Sequence, residues 1–414
     1  MAKENKFDTV VVGGGAAGMM AAITASGNGG SVVILEKNKT LGRKLLMTGD
    51  GRCNVTHFGL TNREFAGLFG KEGDFLLSPL SRFGPAETMA FFENLGAELK
   101  TEPDGRVFPK SNKAQDILAA LLKKLKQNKV FIFTEAEVKE IKIENDSIAE
   151  IVLADGEKII GKKYIISVGG KSYPITGSTG DGFVWAEKLG HTIIKPRPSL
   201  VPVQVKENWI KTLSGLSFEK VKVSLSVLGK IAKKETGDIL FAHFGLTGPL
   251  ILNLSKDIGA LMAQGKVKIL VDLQPDKDQE QLEGYLQKSI EKNKKKEIKN
   301  ILADFLPAKI APYLIYFAGL KEKVKGFELK KEEREKLAKV IKKLEFNVVS
   351  LVGFDRAMVT AGGVALKEID SKTMKSKKIG NLYFAGEIIN LDGPCGGYNL
   401  QLCWTTGRIA GSAD

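Results

Sequence analysis

A chain of 414 residues exceeds what one ordinary hydrophobic core supports, so two or three domains are expected. Hydrophobic residues make up 43% of the chain and charged residues 27%, which excludes an intrinsically disordered protein and is typical of a globular one. The net charge of +14 raises the question of a nucleic-acid partner, because clustered lysines gain affinity for phosphates through counterion release.

The N-terminal segment is predicted to form a strand, a tight glycine turn and a helix. Apolar residues 7–12 lead into the spacing Gly13-x-Gly15-x-x-Gly18, which matches a dinucleotide-binding fingerprint. In that fingerprint the first glycine permits the turn, the second lets backbone approach a pyrophosphate, and the third lets the helix pack closely on the strand. The free N–H groups and the dipole of the helix then face the phosphates. The residues assigned to this role are Gly13, Gly15, Ala16, Ala17 and Gly18.

The second strand ends at Glu36, whose carboxylate is placed to accept hydrogen bonds from a ribose diol. Glu36 and the adjacent Lys37 are therefore assigned to the cofactor site. The uncharged stretch 9–28 also resembles a signal peptide or a membrane span, but Glu4 and Asp8 do not fit a basic leader, and no other apolar segment approaches about 20 residues. We expect a soluble, cytoplasmic protein without a membrane partner.

Residues 40–56 are predicted to form a loop rich in glycine, cations and small polar side chains. Such a loop can wrap an anionic ligand, because arginine and lysine neutralise phosphate charge while hydroxyl, amide and backbone N–H groups supply neutral hydrogen bonds. An ordinary polar loop with surface cations is the alternative. The residues assigned to cofactor binding here are Arg43, Lys44, Thr48, Gly49, Arg52 and Asn54.

The elements that follow are a mixture of helices and hairpins. Helical periodicity covers residues 78–99 and 114–127, and Asp104-Gly105 predicts a hairpin turn between them. A strand at 129–133 precedes an edge hairpin. Backbone groups near Val138, at the start of that hairpin, could meet an adenine edge without any special side chain, so Val138 is also assigned to the cofactor.

A second arrangement of strand, glycine turn and helix is predicted in the middle of the chain. The apolar strand 164–170 ends in paired glycines, and a glycine-rich segment then leads into a helix at 183–189. Backbone could approach the cofactor here, although a purely structural glycine turn explains the pattern equally well. The residues assigned to the cofactor are Gly169, Gly170, Gly180 and Asp181.

The character of the chain changes at the proline-containing linker 195–198. Short alternating strands follow and indicate a small antiparallel sheet or barrel. His243 lies in the turn-rich stretch 242–249, where chemistry could use it, although a lone histidine is more often a packing residue. We take His243 as the candidate catalytic residue, acting as a proton donor.

Residues 275–344 are predicted to be helical and are rich in lysine. The lysines are mixed with glutamates at helical spacing, which is more typical of a solvated helix face than of a nucleic-acid-binding surface. The interleaving of aromatic residues with cations that is typical of a strand-binding groove is missing from the main lysine clusters, at 288–299 and 321–343. Nucleic acid is therefore not expected as a partner.

The C-terminal segment contains a further set of ligand-binding features. A strand at 382–387 ends in Gly386-Glu387, in which the glycine leaves room for a ligand and the acid can bind sugar-alcohol hydroxyls. A helix then begins near Gly397, and its free N–H groups and dipole suit a group that becomes negative on reduction, such as a flavin ring. The residues assigned to the cofactor are Gly386, Glu387, Asp392, Gly397, Tyr398, Asn399 and Leu400.

Taken together, these motifs resemble those of the two-dinucleotide-binding-domain flavoproteins and, more narrowly, of the bacterial BaiN-like family of NAD(P)/FAD-dependent oxidoreductases. The motifs that carry the resemblance span nearly the whole chain: 12–18, 42–56, 169–182, 241–249, 359–365 and 383–401. The resemblance implies an α/β fold with a Rossmann-type FAD-binding domain and an inserted β-barrel domain that carries a small helical subdomain. The implied boundaries are 1–194 with 355–414 for the FAD domain, 195–274 with 345–354 for the barrel, and 275–344 for the helical subdomain.

The resemblance also implies roles for individual residues. Those expected at the adenosine half of FAD are Glu36 at the ribose, Val138 at the adenine, and Arg43 and Lys44 at the pyrophosphate. Those expected at the flavin half are Gly386 and Glu387 at the ribityl and phosphate region, and Gly397–Leu400 at the isoalloxazine edge.

The expected function is an FAD-dependent oxidoreductase that exchanges a hydride between flavin N5 and a small organic substrate, with NAD(P)H as partner reductant. The chain has no second Gly-x-Gly-x-x-Gly for a separate nicotinamide domain. Its three cysteines form neither a Cys-x-x-Cys pair nor, with its three histidines, a metal-ligand cluster, so no metal or redox disulfide is expected. The alternative is a non-catalytic nucleic-acid-binding or regulatory flavoprotein that uses the lysine-rich helical subdomain. The sequence does not determine an oligomeric state.

Overall fold

A computed structural model describes residues 5–413 of the chain. These residues form two compact units. One unit runs to Ser199 and resumes at Gly353, and the other comprises Leu200–Val352. None of the helices in residues 5–413 is long and apolar enough to cross a membrane.

The strands and helices are numbered in chain order. The strands are β1 (Asn5–Val12), β2 (Val32–Glu36), β3 (Thr56–His57), β4 (Leu99–Thr101), β5 (Arg106–Pro109), β6 (Phe131–Thr134), β7 (Val138–Glu144), β8 (Ser147–Leu153), β9 (Lys158–Ile166), β10 (Ile193–Ser199), β11 (Val203–Val205), β12 (Ser217–Val227), β13 (Lys230–Ala242), β14 (Gly245–Thr247), β15 (Val267–Asp272), β16 (Leu344–Leu351), β17 (Val359–Val364) and β18 (Leu382–Phe384). The helices are α1 (Ala16–Gly27), α2 (Asn62–Gly67), α3 (Leu77–Arg82), α4 (Pro85–Asn94), α5 (Ala114–Gln127), α6 (Asp181–Lys188), α7 (Pro249–Met262), α8 (Gln279–Lys292), α9 (Ile298–Leu302), α10 (Ala311–Phe317), α11 (Lys331–Lys342) and α12 (Tyr398–Ser412).

A mostly parallel sheet forms the centre of the first unit, in the order β6-β2-β1-β9-β8-β7, with β18 also paired to β9. The strands β1, β2, β6, β9 and β18 run parallel, and β8 and β7 are added antiparallel. Val12 at the end of β1 is paired with Leu35 on one side and Ile166 on the other. The residues that follow these strands therefore meet at one edge of the sheet, where open α/β sheets bind their ligands.

Apolar runs in the parallel strands explain why both faces of this sheet are buried. Val10 and Val12 belong to one hydrophobic cluster and Val11 to another, so the two clusters lie on opposite faces. The C-terminal helix α12 packs on α1 through a close glycine contact, since a Cβ at Gly407 would lie 2.4 Å from the carbonyl oxygen of Ala17. The last helix of the chain is thereby packed directly against the helix of the glycine fingerprint.

The antiparallel pair β10 and β17 places residues 195–199 in the first unit. Glu368, in the short turn after β17, accepts hydrogen bonds of 2.8 Å from the N–H and from the hydroxyl of Thr192, and it forms a 3.0 Å ion pair with Lys378. Burial opposes ionisation of this carboxyl group, but the donors outweigh it and lower the pKa of Glu368 from 4.5 to about 2.

The low pKa of Glu368 predicts an acid-dependent loss of stability. Because the carboxyl group binds a proton more readily in the unfolded chain, its contribution is complete above about pH 4.5 and is lost as the pH falls toward 2. We expect the unfolding free energy of Glu368→Gln, measured by urea titration across this range, to change less with pH than that of the parent protein. Identical pH profiles for the two proteins would contradict the prediction.

The second unit contains a closed antiparallel barrel in the order β11-β14-β13-β12-β15-β16. Along β12, Val221 and Val223 are buried while Lys222 is exposed, which is the alternation expected of a strand with one buried face. Buried side chains of the barrel and of helices α7 to α11 belong to one hydrophobic cluster, so the lysine-rich segment 275–344 shares the core of the barrel. The two units together confirm the expected α/β fold, a Rossmann-type domain with an inserted β-barrel.

Candidate functional site

A cleft of the first unit lies along the carboxyl ends of β1, β2 and β9. It encloses about 1290 Å³, including the part that is open to solvent. Gly13, Lys37 and Ser167, which directly follow these three strands, contribute to its walls. A glycine-lined cleft in this position is typical of dinucleotide-binding sheets.

In the glycine turn between β1 and α1, two glycines are tightly packed against the backbone and a third faces open space in the cleft. Gly13 has a φ of +103°, and a Cβ there would lie 2.8 Å from the carbonyl oxygen of Ser167. A Cβ at Gly18 would lie only 1.9 Å from the carbonyl oxygen of Gly13. At Gly15, which caps α1 and lines the cleft, an added Cβ would meet nothing within 4 Å. Gly13 and Gly18 are thus required by packing, whereas Gly15 leaves room beside the N-terminus of the helix.

Glu36 is the last residue of β2 and is 8% exposed within the cleft wall. One carboxylate oxygen accepts a 2.8 Å hydrogen bond from the N–H of Gly14, and the other accepts bonds of 2.8 and 2.6 Å from the backbone and side chain of Asn38. Arg43 in turn donates to Asn38 Oδ1 at 2.6 Å. These three donors hold the carboxylate in one orientation, and the lone pair that remains on Oε2 can still accept a hydrogen bond from a hydroxyl group.

Lys37 joins the second glycine-rich segment to the end of β2. Its Nζ lies 2.6 Å from Asp181 Oδ2 and 2.6 Å from Thr179 Oγ1. Burial opposes ionisation of Asp181, but the hydrogen bonds from Lys37 and Thr179 lower its pKa overall. Both predicted glycine turns therefore lie at the same edge of the sheet.

Glu387 is at the centre of a polar cluster on the cleft wall that follows β18. Its Oε2 pairs with Lys44 Nζ at 2.9 Å, and its Oε1 accepts a 2.8 Å bond from the hydroxyl of Ser172 and a 2.6 Å bond from the N–H of Thr360. Lys44 also donates to Ser172 at 3.0 Å. The side chains of Lys44 and Glu387 are 25% and 14% exposed, so this pair is largely withdrawn from solvent.

The N-terminus of α12 is held by close packing around Gly397. This residue has a φ of +95°, and a Cβ there would lie 2.5 Å from the carbonyl oxygen of Thr56 and 2.9 Å from Asn54 Oδ1. Asn399 accepts a 2.8 Å hydrogen bond from the N–H of Gly393 and donates a 2.9 Å bond to its carbonyl, which fixes the preceding loop. Asn54 Oδ1 is buried and has no partner within residues 5–413, so an acceptor is left unsatisfied at this helix terminus.

The cleft brings together residues that were assigned from six separate segments of the sequence. Those that line it are Gly13, Gly15, Ala16, Ala17, Glu36, Lys37, Arg43, Lys44, Thr48, Val138, Gly169, Asp181, Gly386, Glu387, Asn399 and Leu400. Those assigned residues that are not part of its lining are Gly18, Gly49, Arg52, Asn54, Gly170, Gly180, Asp392, Gly397 and Tyr398.

Several assigned residues outside the lining have structural partners instead. Arg52 pairs with Glu102, and its guanidinium carbon lies 3.8 Å from the ring centre of Phe108. A Cβ at Gly170 would lie 2.4 Å from Thr360 Oγ1, and Asp392 accepts a 2.9 Å bond from the hydroxyl of Ser199. These residues therefore stabilise the cleft wall or the small sheet β3-β5-β4, and their polar groups are occupied by contacts within the protein.

Sequence reasoning missed three polar residues that orient the carboxylates. Asn38 follows Glu36 by two residues and could have been found as its local partner. Ser172 follows the paired glycines after β9, which is a weaker signal. Thr360 lies in β17 and contacts Glu387 only because of the fold, so no local pattern indicates its role.

His243 lies in the second unit, at the exposed turn between β13 and β14. Its ring is in edge contact with the neighbouring Phe244, at a centroid distance of 4.8 Å. The ring is not buried as a core residue would be, so it is accessible to a solvent proton or to a ligand.

The ionisable thiols and phenol of the first unit are held protonated by burial. Burial raises the pKa of Cys53 and of Cys395 to about 12, and the pKa of Cys403 is raised to about 12 by burial and then by the charge of Glu387. Tyr398, whose ring stacks on His57 at 4.8 Å, also has its pKa raised to about 12, by burial and then by Asp104. None of these four groups is a ready nucleophile at neutral pH.

Comparison with known proteins gives one family for nearly the whole chain. The family described as the HI0933-like protein Rossmann domain matches residues 7–413. A 3-dehydro-bile acid delta(4,6)-reductase from Clostridium scindens is 31% identical over 92% of this chain and 92% of its own length. A ribosomal RNA dihydrouridine synthase from Haemophilus influenzae is 29% identical over 91% of this chain and 90% of its own length. The open conformation of a flavocytochrome c3 fumarate reductase is similar in fold, with a TM-score of 0.53 and 17% identity over 99% of this chain and 78% of that chain.

Proposed function

This chain belongs to the HI0933-like Rossmann family and is an FAD-dependent oxidoreductase, and we propose that it reduces a carbon–carbon double bond conjugated with a carbonyl group. The observation that carries the proposal is the single cleft that joins a buried acid at the end of β2 to a second acid after β18. The names of both curated relatives denote reduction of such a bond, in a 3-oxo steroid acid and in a uracil ring.

The residues along the cleft fit FAD. Glu36 offers an acceptor for a ribose hydroxyl, and Gly15 leaves open space at the N-terminus of α1 for a pyrophosphate. Arg43 brings positive charge to the same wall, whereas the charge of Lys44 is balanced by its ion pair with Glu387. FAD carries hydroxyl donors for the acid at the end of β2, and its flavin ring suits the N-terminus of α12, where Asn399 and Leu400 line the cleft.

When bound, FAD supplies the hydride chemistry. The chain contributes binding, orientation and electrostatics. The free N–H groups at the start of α12 and its dipole stabilise negative charge at that end of the cleft. The ion pair of Lys44 and Glu387 keeps the neighbouring wall polar but neutral, and Leu400 and Leu402 supply apolar surface that excludes water.

A uracil base of RNA is the substrate that we favour, which departs from the expectation, drawn from the spacing of lysines and glutamates, that nucleic acid is not a partner. Residues 200–352 contain 28 Lys and Arg against 19 Asp and Glu, so this unit carries +9 of the net charge of +14. A surplus of this size concentrates polyanions such as RNA and would do little for a small carboxylic acid. Saturation of the uracil double bond requires one hydride and one proton, and NADH or NADPH is the proposed source of the hydride. A steroid-like enone is the second candidate, because the bile-acid reductase is the more similar of the two relatives compared.

Anaerobic spectroscopy on the purified protein tests the proposal. We expect the protein to contain bound flavin, whose visible absorbance is lost on addition of NADH or NADPH. The absorbance should return on addition of uridine-containing RNA. The mass of that RNA should then rise by two hydrogens for each reduced base. Reoxidation by a steroid-like enone but not by RNA would select the second candidate. A protein with neither bound flavin nor affinity for flavin would overturn both.

His243 is the proposed proton donor in this reaction. With the same assay, His243→Ala should lower the rate of substrate reduction by about 10²- to 10⁴-fold, the usual contribution of a general acid. Bleaching of the flavin by NAD(P)H should keep the parental rate, because that step needs no proton from the substrate side. Parental substrate turnover in the variant would show that another group supplies the proton.

A further inference from the structure

The second unit contains a cluster of aromatic rings that the reductase chemistry does not use. Trp209, in the short helical turn Asn208–Leu213, stacks on Tyr313 of α10 with ring centroids 5.2 Å apart and planes inclined by 28°. Phe317 lies 5.2 Å from Trp209, and Tyr316 lies 5.5 Å from Phe317. Together with Leu320 they line an open groove of about 790 Å³, including its solvent side, which we call the aromatic groove.

The rings of the aromatic groove are fixed from below and exposed from above. Trp209 also contacts Phe346 of the barrel core at 5.5 Å, and the hydroxyl of Thr212 lies 2.6 Å from that of Tyr313. Tyr316 is nevertheless 74% exposed and Phe317 is 39% exposed. Trp209 and Tyr313 thus form a fixed floor, and the exposed rings of Tyr316 and Phe317 offer faces on which a flat ligand can stack.

The charges near the aromatic groove favour a nucleic acid over an apolar partner. Lys211 follows Trp209 by two residues, Lys309 precedes α10, and Lys321 directly follows Leu320. All three side chains are exposed, and none forms an ion pair within residues 5–413. A second copy of this chain would bring the same +9 unit against itself, which is electrostatically unfavourable.

We propose that the aromatic groove binds an unstacked base of single-stranded RNA, with the neighbouring lysines placed for its phosphates. Single-stranded RNA is recognised by stacking of splayed bases on aromatic side chains and by cations along the backbone. Glu322, which also lines the groove, can accept a hydrogen bond from a base N–H and disfavours a phosphate directly over the rings. The inference deepens the proposed function, since it rests on RNA as the substrate, and it assigns the docking of that RNA to a surface of the second unit.

Fluorescence anisotropy with a labelled oligouridylate of about ten nucleotides tests the inference. The flavin-loaded protein is used without reductant, so that binding is measured in the absence of turnover. Tyr316→Ala should bind about fivefold or more weakly, as expected for the loss of one base–aromatic stack, while Tyr316→Phe should retain parental affinity. The matched control is Phe327→Ala in the same unit, which removes a ring that is 64% exposed outside the groove and should leave affinity unchanged.

The salt dependence of RNA binding and the oligomeric state of the protein provide two further tests. Lys321→Gln should reduce the salt dependence of binding by about 0.7 in the slope of log K against log salt concentration, whereas Lys71→Gln in the first unit should not.

Parental affinity in Tyr316→Ala would overturn the inference. So would a change in oligomeric state of Tyr316→Ala without a change in RNA affinity, because the groove would then be an interface between copies.

The same variants separate this inference from the proposed function. If the parent reduces uracil in RNA and Tyr316→Ala does so with the same KM, the function stands and the docking site is wrong. If the parent binds the oligouridylate through Tyr316 but reduces only a steroid-like enone, the docking site stands and the RNA substrate is wrong.

Discussion

Gly18→Ala is expected to unfold at a lower urea concentration than the parent and to retain little flavin after purification. The new Cβ would lie 1.9 Å from the carbonyl oxygen of Gly13 and 2.6 Å from Ser167 Oγ. Gly13 cannot yield easily, because its own Cβ position is 2.8 Å from the backbone of Ser167. Helix α1 must therefore move away from β1, which we expect to cost about 3 kcal/mol of unfolding free energy, at the upper end for an overpacked core.

Two further measurements distinguish the steric effect of Gly18→Ala from a general effect of replacing glycine by alanine: the flavin content of the variant and the behaviour of a control variant at another glycine of α1. Displacement of α1 also moves the N–H groups that face the cleft, so the ratio of flavin to protein absorbance should fall together with stability. Gly27→Ala lies in the same helix, and its Cβ would meet nothing within 4 Å, so it should keep both parental stability and parental flavin content. Equal behaviour of the two variants would contradict the packing argument.

Glu387→Gln should lower both stability and flavin content. The substitution preserves shape but removes the negative charge that lies 2.9 Å from Lys44 Nζ. If the amide oxygen keeps the bonds from Ser172 and Thr360, its NH2 group faces the ammonium, and two donors are opposed. Because Lys44 is only 25% exposed, we expect a loss of about 2 kcal/mol in urea unfolding, which is typical of a lost hydrogen bond to a charged group and less than for breaking a fully buried pair.

Glu98→Gln is the matched control for that loss. Glu98 pairs with Lys110 at 3.0 Å, but the side chains of Glu98 and Lys110 are 76% and 71% exposed. Solvent screens such a pair, so the same chemical change should alter stability by less than about 1 kcal/mol and leave flavin content unchanged. A Glu387→Gln variant with the same stability and the same flavin content as Glu98→Gln would show that the polar cluster around Lys44 is not needed for stability or for flavin binding.

The glycine fingerprint could be predicted from sequence because its requirements are local. Gly13 needs a positive φ, and Gly18 needs an absent side chain within one turn of the same strand–helix unit. The two acids were also predictable. Glu36 ends a buried strand and Glu387 closely follows one, and parallel strands bring their carboxyl ends to a common edge.

The partners of those acids could not be predicted in the same way. Thr360 donates to Glu387 from 27 residues away, and Lys44 pairs with it across 343 residues. The aromatic groove shows the same limit, because Trp209 and Tyr313 come from segments 104 positions apart in the sequence. Tyr313, Tyr316 and Phe317 lie between the two lysine clusters of the lysine-rich segment, and the fold brings Trp209 to them from elsewhere.

The sequence by itself determined the class of ligand, a dinucleotide cofactor. Glycine spacing and acids at strand ends reflect local requirements of the backbone, which can be recognised within a short segment. The tertiary structure decided which of the assigned side chains reach the cleft. It placed Arg52 against Phe108 and Glu102 and left Asn54 Oδ1 without a partner among residues 5–413, because long-range packing sets where each side chain points. The same packing joined the lysine-rich helices to the barrel core and brought Trp209 to the aromatic groove, whose other lining residues lie within 312–322.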